Sequence, residues 1–512
     1  MKHSILISLL TCCALTGCYR SFVTLAPQYP DSPWQPCGYE EPLSCAAPKF
    51  ELPPHSAPRY YNEEWLVDQD HEYNLAELID LALRSNPKTR IAWEEAKQAA
   101  FDVGLTVASY LPQISADILT GYQHTPVPLP TALVPSGQAV LDTTEFWPSL
   151  VIKWLLFDFG KRDYLIEAAM QRSYASNVAF TQAHQKLIFE VTKAYFDLNA
   201  ARTQLHVAEQ ALKNTEILQD AAESKRERGL EKVTEVAFAR RETAKARFEL
   251  EKAKADDNDA YYNLLEAMGL TPTLKLQVVD SSGRALPKGL AADVNTYICQ
   301  ALQQRPDIIE AFAKLRATKA DVGSAEASFR PTINLDTFVY QGISSLRTGT
   351  GHTTWVNRPA SAFFIEFKFP LYDGGMRWNE LNKACSKNAA AKEELRRIQN
   401  EAIRQVARAY DLVKSTLAEY ESALALVEAA DIAYDSAIDS YRQGVGTFTD
   451  AISANTEKVQ AQSTLANAYA TVLTAGAALA FSAGELTSID ALDSSRDMPP
   501  HTYQFGNDDC DK

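Results

Sequence analysis

Two stretches of 68 residues, Lys161–Arg228 and Met376–Gln443, contain neither glycine nor proline. Those are the residues that most often end or kink a helix. Without them each stretch can run as one helix about 100 Å long at 1.5 Å per residue. Globular helices usually run roughly 8–20 residues, so an ordinary globular core is excluded for these two. Cysteine and histidine are scarce, 8 of each in 512 residues. No CxxC pair and no histidine cluster occurs, which argues against a zinc site. The Walker A, HExxH and GxSxG patterns are missing, and with them the usual signs of nucleotide use, zinc proteolysis and serine hydrolysis. No enzyme activity and no cofactor are expected. A basic surplus is also lacking: the net charge is -15 and the pI about 5.1, which speaks against a nucleic-acid partner. No helical segment reads as apolar enough over a sufficient length to span a bilayer.

What is present begins with a leader. Lys2 and His3 precede an apolar run, Ile5–Leu15, too short to cross a membrane. The run ends in Leu15-Thr16-Gly17-Cys18, which resembles a bacterial lipoprotein cleavage box. The resemblance implies removal of residues 1–17 and lipidation of Cys18. Tyr19, rather than Asp, follows the cysteine and favours the outer membrane. Residues 18–73 form a Pro-rich segment, in which Cys37 and Cys45 could pair in an oxidising compartment or remain two free thiols.

The remainder reads as one plan used twice. Asp158 maps to Asp373, Gly160 to Gly375, Gly229 to Gly444 and Gly269 to Gly484, each at an offset of 215. The first repeat spans 74–269, with a β-hairpin at 110–157, a long helix at 161–228 and a helix at 231–268. A polar connector covers 270–292. The second repeat spans 293–484, with a hairpin at 331–372, a long helix at 376–443 and a helix at 447–483. Residues 485–512 are an acidic tail. In the hairpins Ile114, Ala116, Ile118 and Tyr122 alternate with Ser115, Asp117 and Gly121, and Phe363, Ile365 and Phe367 alternate with Glu366 and Lys368. Period-2 alternation gives one apolar and one polar face. Strands of about 10 residues suffice to cross a bilayer when tilted. Trp147, Trp154, Tyr122, Tyr340 and Trp355 are expected toward strand ends, as an aromatic girdle. Pro126, Pro128, Pro130, Pro135, Gly342, Gly349 and Gly351 are expected in the connecting loops.

Four strands cannot close in lipid, where open edges are not tolerated. The smallest membrane barrels have about 8 strands, and those are filled by side chains. A conduit therefore requires at least three copies. The alternative is a lipidated periplasmic scaffold of helical hairpins without a pore.

Leu111-Pro112-Gln113-Ile114, Leu156-Phe157-Asp158-Phe159-Gly160, Pro370-Leu371-Tyr372-Asp373-Gly374-Gly375 and Tyr441-Arg442-Gln443-Gly444-Val445-Gly446-Thr447, in this doubled order, resemble the TolC-like outer membrane efflux proteins, most closely the lipidated OprM-type branch. The resemblance implies an α+β membrane protein: a homotrimer whose 12-stranded β-barrel crosses the outer membrane and continues into a periplasmic α-helical barrel. It implies an exit duct for efflux or secretion, a periplasmic membrane-fusion adaptor and an inner-membrane pump as partners, and outer membrane lipid around the barrel. Asp158, Gly160, Asp373, Gly374 and Gly375 would turn barrel strand into tunnel helix. Arg226, Gly229, Gly444, Val445, Gly446 and Thr447 would form the adaptor-docking tips, with the backbone groups at Gly444 and Gly446 left open for the adaptor. Tyr441 and Asp450 would belong to the periplasmic gate. Ser453 stands where the family often has a second gate aspartate, and Glu235 is the repeat counterpart of Asp450.

Overall fold

A computed structural model describes residues 68, 70–128, 130, 138–229, 231–280, 286, 289–290, 292–348 and 353–486. The leader, Cys18, Cys37, Cys45, Pro135, Gly349, Gly351 and the tail beyond 486 lie outside the described residues. Eight helices and six strands follow one another as β1 (Glu72–Tyr73), α1 (Leu75–Ser85), α2 (Pro87–Ala108), β2 (Gln113–Pro128), β3 (Gln138–Phe157), α3 (Lys161–Glu227), α4 (Val233–Met268), β4 (Gln277–Val278), α5 (Val294–Gln304), α6 (Pro306–Ala327), β5 (Thr332–Thr348), β6 (Thr353–Lys368), α7 (Met376–Gln443) and α8 (Phe448–Ala483) among the described residues.

The helix starts follow local chemistry. Asn74 closes a capping box with Glu77 at the head of α1, satisfying N–H groups that a helix leaves unpaired. Pro87 and Pro306 occupy the first helical position of α2 and α6, where a missing N–H costs nothing. Gly269 and Gly484 end α4 and α8 in the left-handed conformation.

Those glycines also build the helix columns. A Cβ on Gly269 would lie 3.0 Å from the Asn86 Cα and the Pro87 Cδ, and one on Gly484 3.3 Å from the Arg305 backbone nitrogen. The end of α4 thus abuts the start of α2, and the end of α8 abuts the start of α6. Side chains seal both joints. The Asn86 amide donates to the Ala267 carbonyl at 2.9 Å and the Ser85 hydroxyl to the Met268 carbonyl at 3.1 Å. Arg305 donates to the Ser482 carbonyl at 3.1 Å. Each stacked pair of 36 and 22 residues spans about 87 Å at 1.5 Å per residue. α3, at 67 residues, is only slightly longer.

α3 packs against α2 and α4 on one side and against α6 and α8 on the other, and α7 packs against α6 and α8. The columns therefore stand in the order α2/α4, α3, α6/α8, α7. The sheet has the matching order β2-β3-β5-β6, antiparallel throughout. Each strand continues the column it is joined to, so both layers are open along the same two edges: β2 with α2/α4, and β6 with α7. Exposed apolar side chains mark both edges, Phe101 and Leu105 on α2 and Leu426 and Ile432 on α7.

Several expectations need correction. The strands run 16 to 20 residues rather than about 10. Pro126, Pro128 and Gly342 are strand residues and not loop residues. β2 is an edge strand, where proline's missing donor is tolerated. In the central β3, Pro148 has no partner on β5, and the pairing skips from Phe146 to Ser149. Trp147 and Tyr340 lie well inside their strands, on the polar face, with ring centroids 5.5 Å apart; Tyr122, Trp154 and Trp355 keep to the apolar face. α8 is long and apolar enough to cross a membrane by length and composition, alone among the described helices. The helix packs against α3 and α7, with Ala461, Ala470 and Ala475 among its buried residues. The connector is more than a polar link: Leu274, Leu276 and Val278 are buried, and β4 pairs in parallel with β1.

Candidate functional site

Two constellations stand out, one at each end of the long helices. The first is the strand-to-helix turn, which occurs twice. Asp158 Oδ2 accepts hydrogen bonds from the Arg162 backbone N–H at 2.9 Å and from its Nε at 3.0 Å. Arg162 then donates to the carbonyls of Ser109, Leu155 and Leu156 at 3.0, 2.7 and 3.1 Å. One guanidinium thereby ties the end of α2, the end of β3 and the start of α3. Both side chains are only 6% exposed. A buried pair of this kind is tolerable because every polar atom finds a partner.

The second turn repeats the pattern. Asp373 Oδ2 accepts from the Arg377 N–H at 3.2 Å and its Nε at 2.6 Å, and Oδ1 accepts from the Gly375 N–H at 3.1 Å. The Arg377 guanidinium holds the Asp373 carboxyl below the usual carboxylate range. Gly160, Gly374 and Gly375 have φ of 99°, 70° and 86°, a region that glycine enters without penalty. Phe159 occupies the same left-handed region at φ 55°, and Arg330 donates to its carbonyl at 2.7 Å. Sequence reading found the aspartates and glycines but missed Arg162 and Arg377. The Asp-x-Gly-x-Arg spacing, identical in both copies, was the available signal.

The other constellation is where the two hairpin tips meet. Tyr441, near the end of α7, is 2% exposed and packs with Leu218, Val236, Phe448 and Ile452 in one apolar cluster. Its hydroxyl donates to Glu231 at 3.2 Å. Lys225, from the other hairpin, donates to the Tyr441 carbonyl at 2.7 Å and lies 3.5 Å from the ring centroid. Burial, together with Glu231, pushes the Tyr441 phenol well above its usual range. Beside it, a hydrogen bond with Glu231 raises the Glu235 carboxyl, because two neighbouring carboxylates resist ionising together.

Asp450 and Thr447 form a capping box at the head of α8. The Asp450 N–H donates to Thr447 Oγ1 at 3.1 Å, while Asp450 Oδ2 accepts from the Thr447 N–H at 3.2 Å and its hydroxyl at 2.6 Å. These bonds hold the Asp450 carboxyl below its usual range. The turn ahead of it is closed internally. Gly444 donates to the Tyr441 carbonyl at 3.2 Å, and Val445 and Gly446 both donate to the Ser440 carbonyl at 3.0 Å. The N–H groups of Gly444 and Gly446 are thus taken within the turn, so the expectation of open backbone groups there fails for the donors. Val445 is the exposed apolar side chain of this tip, at 81%. At the other tip Gly229 donates to the Arg226 carbonyl at 2.8 Å. Among the described residues no three His, Cys, Asp or Glu side chains are grouped to hold a metal ion.

A four-stranded sheet apolar on one face, joined to columns about 90–100 Å long, is an architecture of outer membrane channels. The comparisons agree. The profile of the outer membrane efflux protein family matches residues 78–270 and 297–485, so the chain belongs to that family. The chain is 27% identical over 423 residues to the probable outer membrane lipoprotein SilC of Salmonella typhimurium, covering 81% of this chain and 83% of that protein. It is 27% identical over 417 residues to the cation efflux system protein CusC of Escherichia coli K12, covering 78% and 82%. Among solved structures, the outer-membrane channel OprN superposes with a TM-score of 0.68 at 21% identity, over 82% of this chain and 94% of that one. CusC superposes with a TM-score of 0.66 at 23% identity, over 80% and 92%. The protein is an outer membrane efflux channel, an exit duct located in the outer membrane.

Proposed function

We propose that three copies close edge to edge, β6 and α7 of one against β2 and α2/α4 of the next, into a twelve-stranded barrel continuous with a helical tunnel. The supporting observation is the coincidence of the open edges: sheet and helix layer end on the same two sides, and both ends carry exposed apolar side chains. Opposite edges that meet head to tail give a ring when the rotation closes. The duplication of the plan suits such a ring, since each half supplies two strands and two columns. Cys18 carries the lipid anchor, in keeping with the OprM-type branch and with SilC being named a lipoprotein. The duct is passive and works with a periplasmic adaptor and an inner-membrane pump, which supplies the energy.

In this reading the Asp158/Gly160 and Asp373/Gly374/Gly375 turns bend barrel into tunnel. Arg226, Gly229 and the Gly444–Thr447 turn dock the adaptor, with Val445 as the apolar contact. Asp450 supplies the acidic ring of the gate. Tyr441, being buried, holds the two tips together behind that ring rather than lining it. Small solutes or metal cations are favoured as cargo over proteins, and the kinship with CusC, a cation efflux system protein, supports this.

The test joins assembly and conduction. Purified mature protein should migrate as a trimer in unheated detergent gels and give small cation-selective steps in a planar bilayer, larger in Asp450→Ala. A monomer that inserts nowhere and conducts nothing would return the chain to the scaffold alternative.

A further inference from the structure

The polar face of the sheet carries an unexpected feature. Trp147, Tyr340, Phe338 and Phe364 form a continuous ladder of rings across β3, β5 and β6. Their successive centroids are 5.5, 6.1 and 5.9 Å apart, with interplanar angles of 28°, 28° and 36°. Strand register puts all four on the face of Asp117, Lys153, Asp336 and Glu366, and not on that of Ile118, Val339 and Phe363. In a closed barrel the apolar face meets lipid and the polar face meets water. Rings on the wet side cannot be explained as a membrane girdle.

Packing explains part of the ladder. A Cβ on Gly342 would lie 3.5 Å from the Tyr340 ring, so Tyr340 leans over a glycine that offers no side chain. Packing does not explain Phe364, which remains 55% exposed. Ala360 and Ala362, opposite Tyr340 and Phe338, are the two half-buried residues of an otherwise exposed β6, as expected where rings lie close over small side chains. Asp336 pairs directly across from Phe364 on one side and from Lys153 on the other, and Asp117 lies in the row of Ser149 and Tyr340. On the polar face the carboxylates of Asp117, Glu145, Asp336 and Glu366 outnumber the cations of Lys153, Arg358 and Lys368. Aromatic faces attract cations, and planar rings stack upon them.

We propose that this ladder is a transit site for planar aromatic cations on the luminal wall of the barrel. The inference rests on the barrel reading above. Three copies of the site would line the lumen at one height, each holding a passing molecule briefly by ring stacking with a carboxylate nearby.

The experiment is current block in planar bilayers, with ethidium as the planar aromatic cation. Tetraethylammonium serves as a cation without rings, and naphthalenesulfonate as an aromatic anion. Ethidium should interrupt the current for longer than either. Its dwell time should fall about tenfold in Phe338→Leu combined with Trp147→Leu, changes that keep apolar bulk but remove the rings. Asp336→Asn should shorten it less. Thr337→Leu, on the lipid-facing side, should leave it unchanged. Equal dwell for ethidium and tetraethylammonium, or dwell unaffected by loss of the rings, overturns the transit site while leaving the barrel intact. Inserted protein that passes no current even as Asp450→Ala, in which the gate ring is removed, overturns the barrel reading and the site with it.

Discussion

The two strand-to-helix turns share five-residue chemistry and differ in their surroundings. Asp158 and Arg162 are sealed, both 6% exposed, whereas Asp373 and Arg377 are 19% and 13% exposed. Position in the row explains the difference. The first turn joins β3 to α3, each flanked by neighbours on both sides, and Arg162 reaches carbonyls on two other elements. The second joins β6 to α7, the open edge, where one flank is missing within the chain. A motif's sequence sets its hydrogen bonds, but its neighbours set how much each bond is worth, because the cost of an unpaired charge grows with burial.

The strongest way to break the symmetry is Asp158→Ala. It leaves Arg162 buried without its carboxylate and should cost about 3–5 kcal/mol, read as a lower denaturation midpoint with an unchanged slope. Asp373→Ala should cost clearly less in the monomer, and should approach the first value only in the assembled protein if a neighbour covers that edge. Similar losses for both in the monomer would contradict the account of the two turns.

Next comes the tip core. Tyr441→Ala empties a fully buried ring site and should cost about 3–5 kcal/mol, loosening both hairpins in hydrogen exchange. Tyr441→Phe removes only the bond to Glu231 and should cost about 1 kcal/mol. A smaller effect separates Phe159 from Gly374, which hold equivalent positions in the two turns at φ 55° and 70°. Gly374→Phe should destabilise by about 1–2 kcal/mol, the penalty of a side chain in the left-handed region. Phe159→Gly should be neutral or mildly stabilising, since that strain is released. Thermal melts of the two variants should move in opposite directions, or only the first should move.

The smallest effect is in pH response, where the two tips should diverge. The Asp450 cap has a lowered carboxyl, so its contribution is present above the unfolded value of about 3.9 and is lost as pH falls through the folded value. Glu235 has a raised carboxyl. Its contribution is present below about 4.3 and is lost as pH rises through the folded value. Hydrogen exchange at the head of α4 should slow on acidification while that at the head of α8 quickens, and Glu235→Gln should abolish the first response only.

Much of this was readable beforehand where one residue type dictates local geometry. The glycine- and proline-free stretches marked the two long helices, Gly229 and Gly444 their ends, Gly269 and Gly484 the ends of the helices that follow, and alternation the faces of the strands. Strand length was not readable. Pro126, Pro128 and Gly342 are breakers by local chemistry, yet edge position and pairing keep them in strands. The girdle expectation failed for Trp147 and Tyr340 because their face depends on parity along the whole strand. Asp450 was legible as an acid, but its engagement with Thr447 and the burial of Tyr441 were not.

By itself the sequence determined the long helices, the helix ends and the alternating faces of the strands, because these follow from backbone freedom and from side-chain period within one segment. Only the tertiary structure decided which columns stand side by side and which edges remain open. It alone decided that one Asp–Arg turn is sealed and the other more exposed, and that four rings from three strands share the polar face. Those properties belong to pairs of segments distant in the chain, and their energies depend on a burial that no single segment specifies.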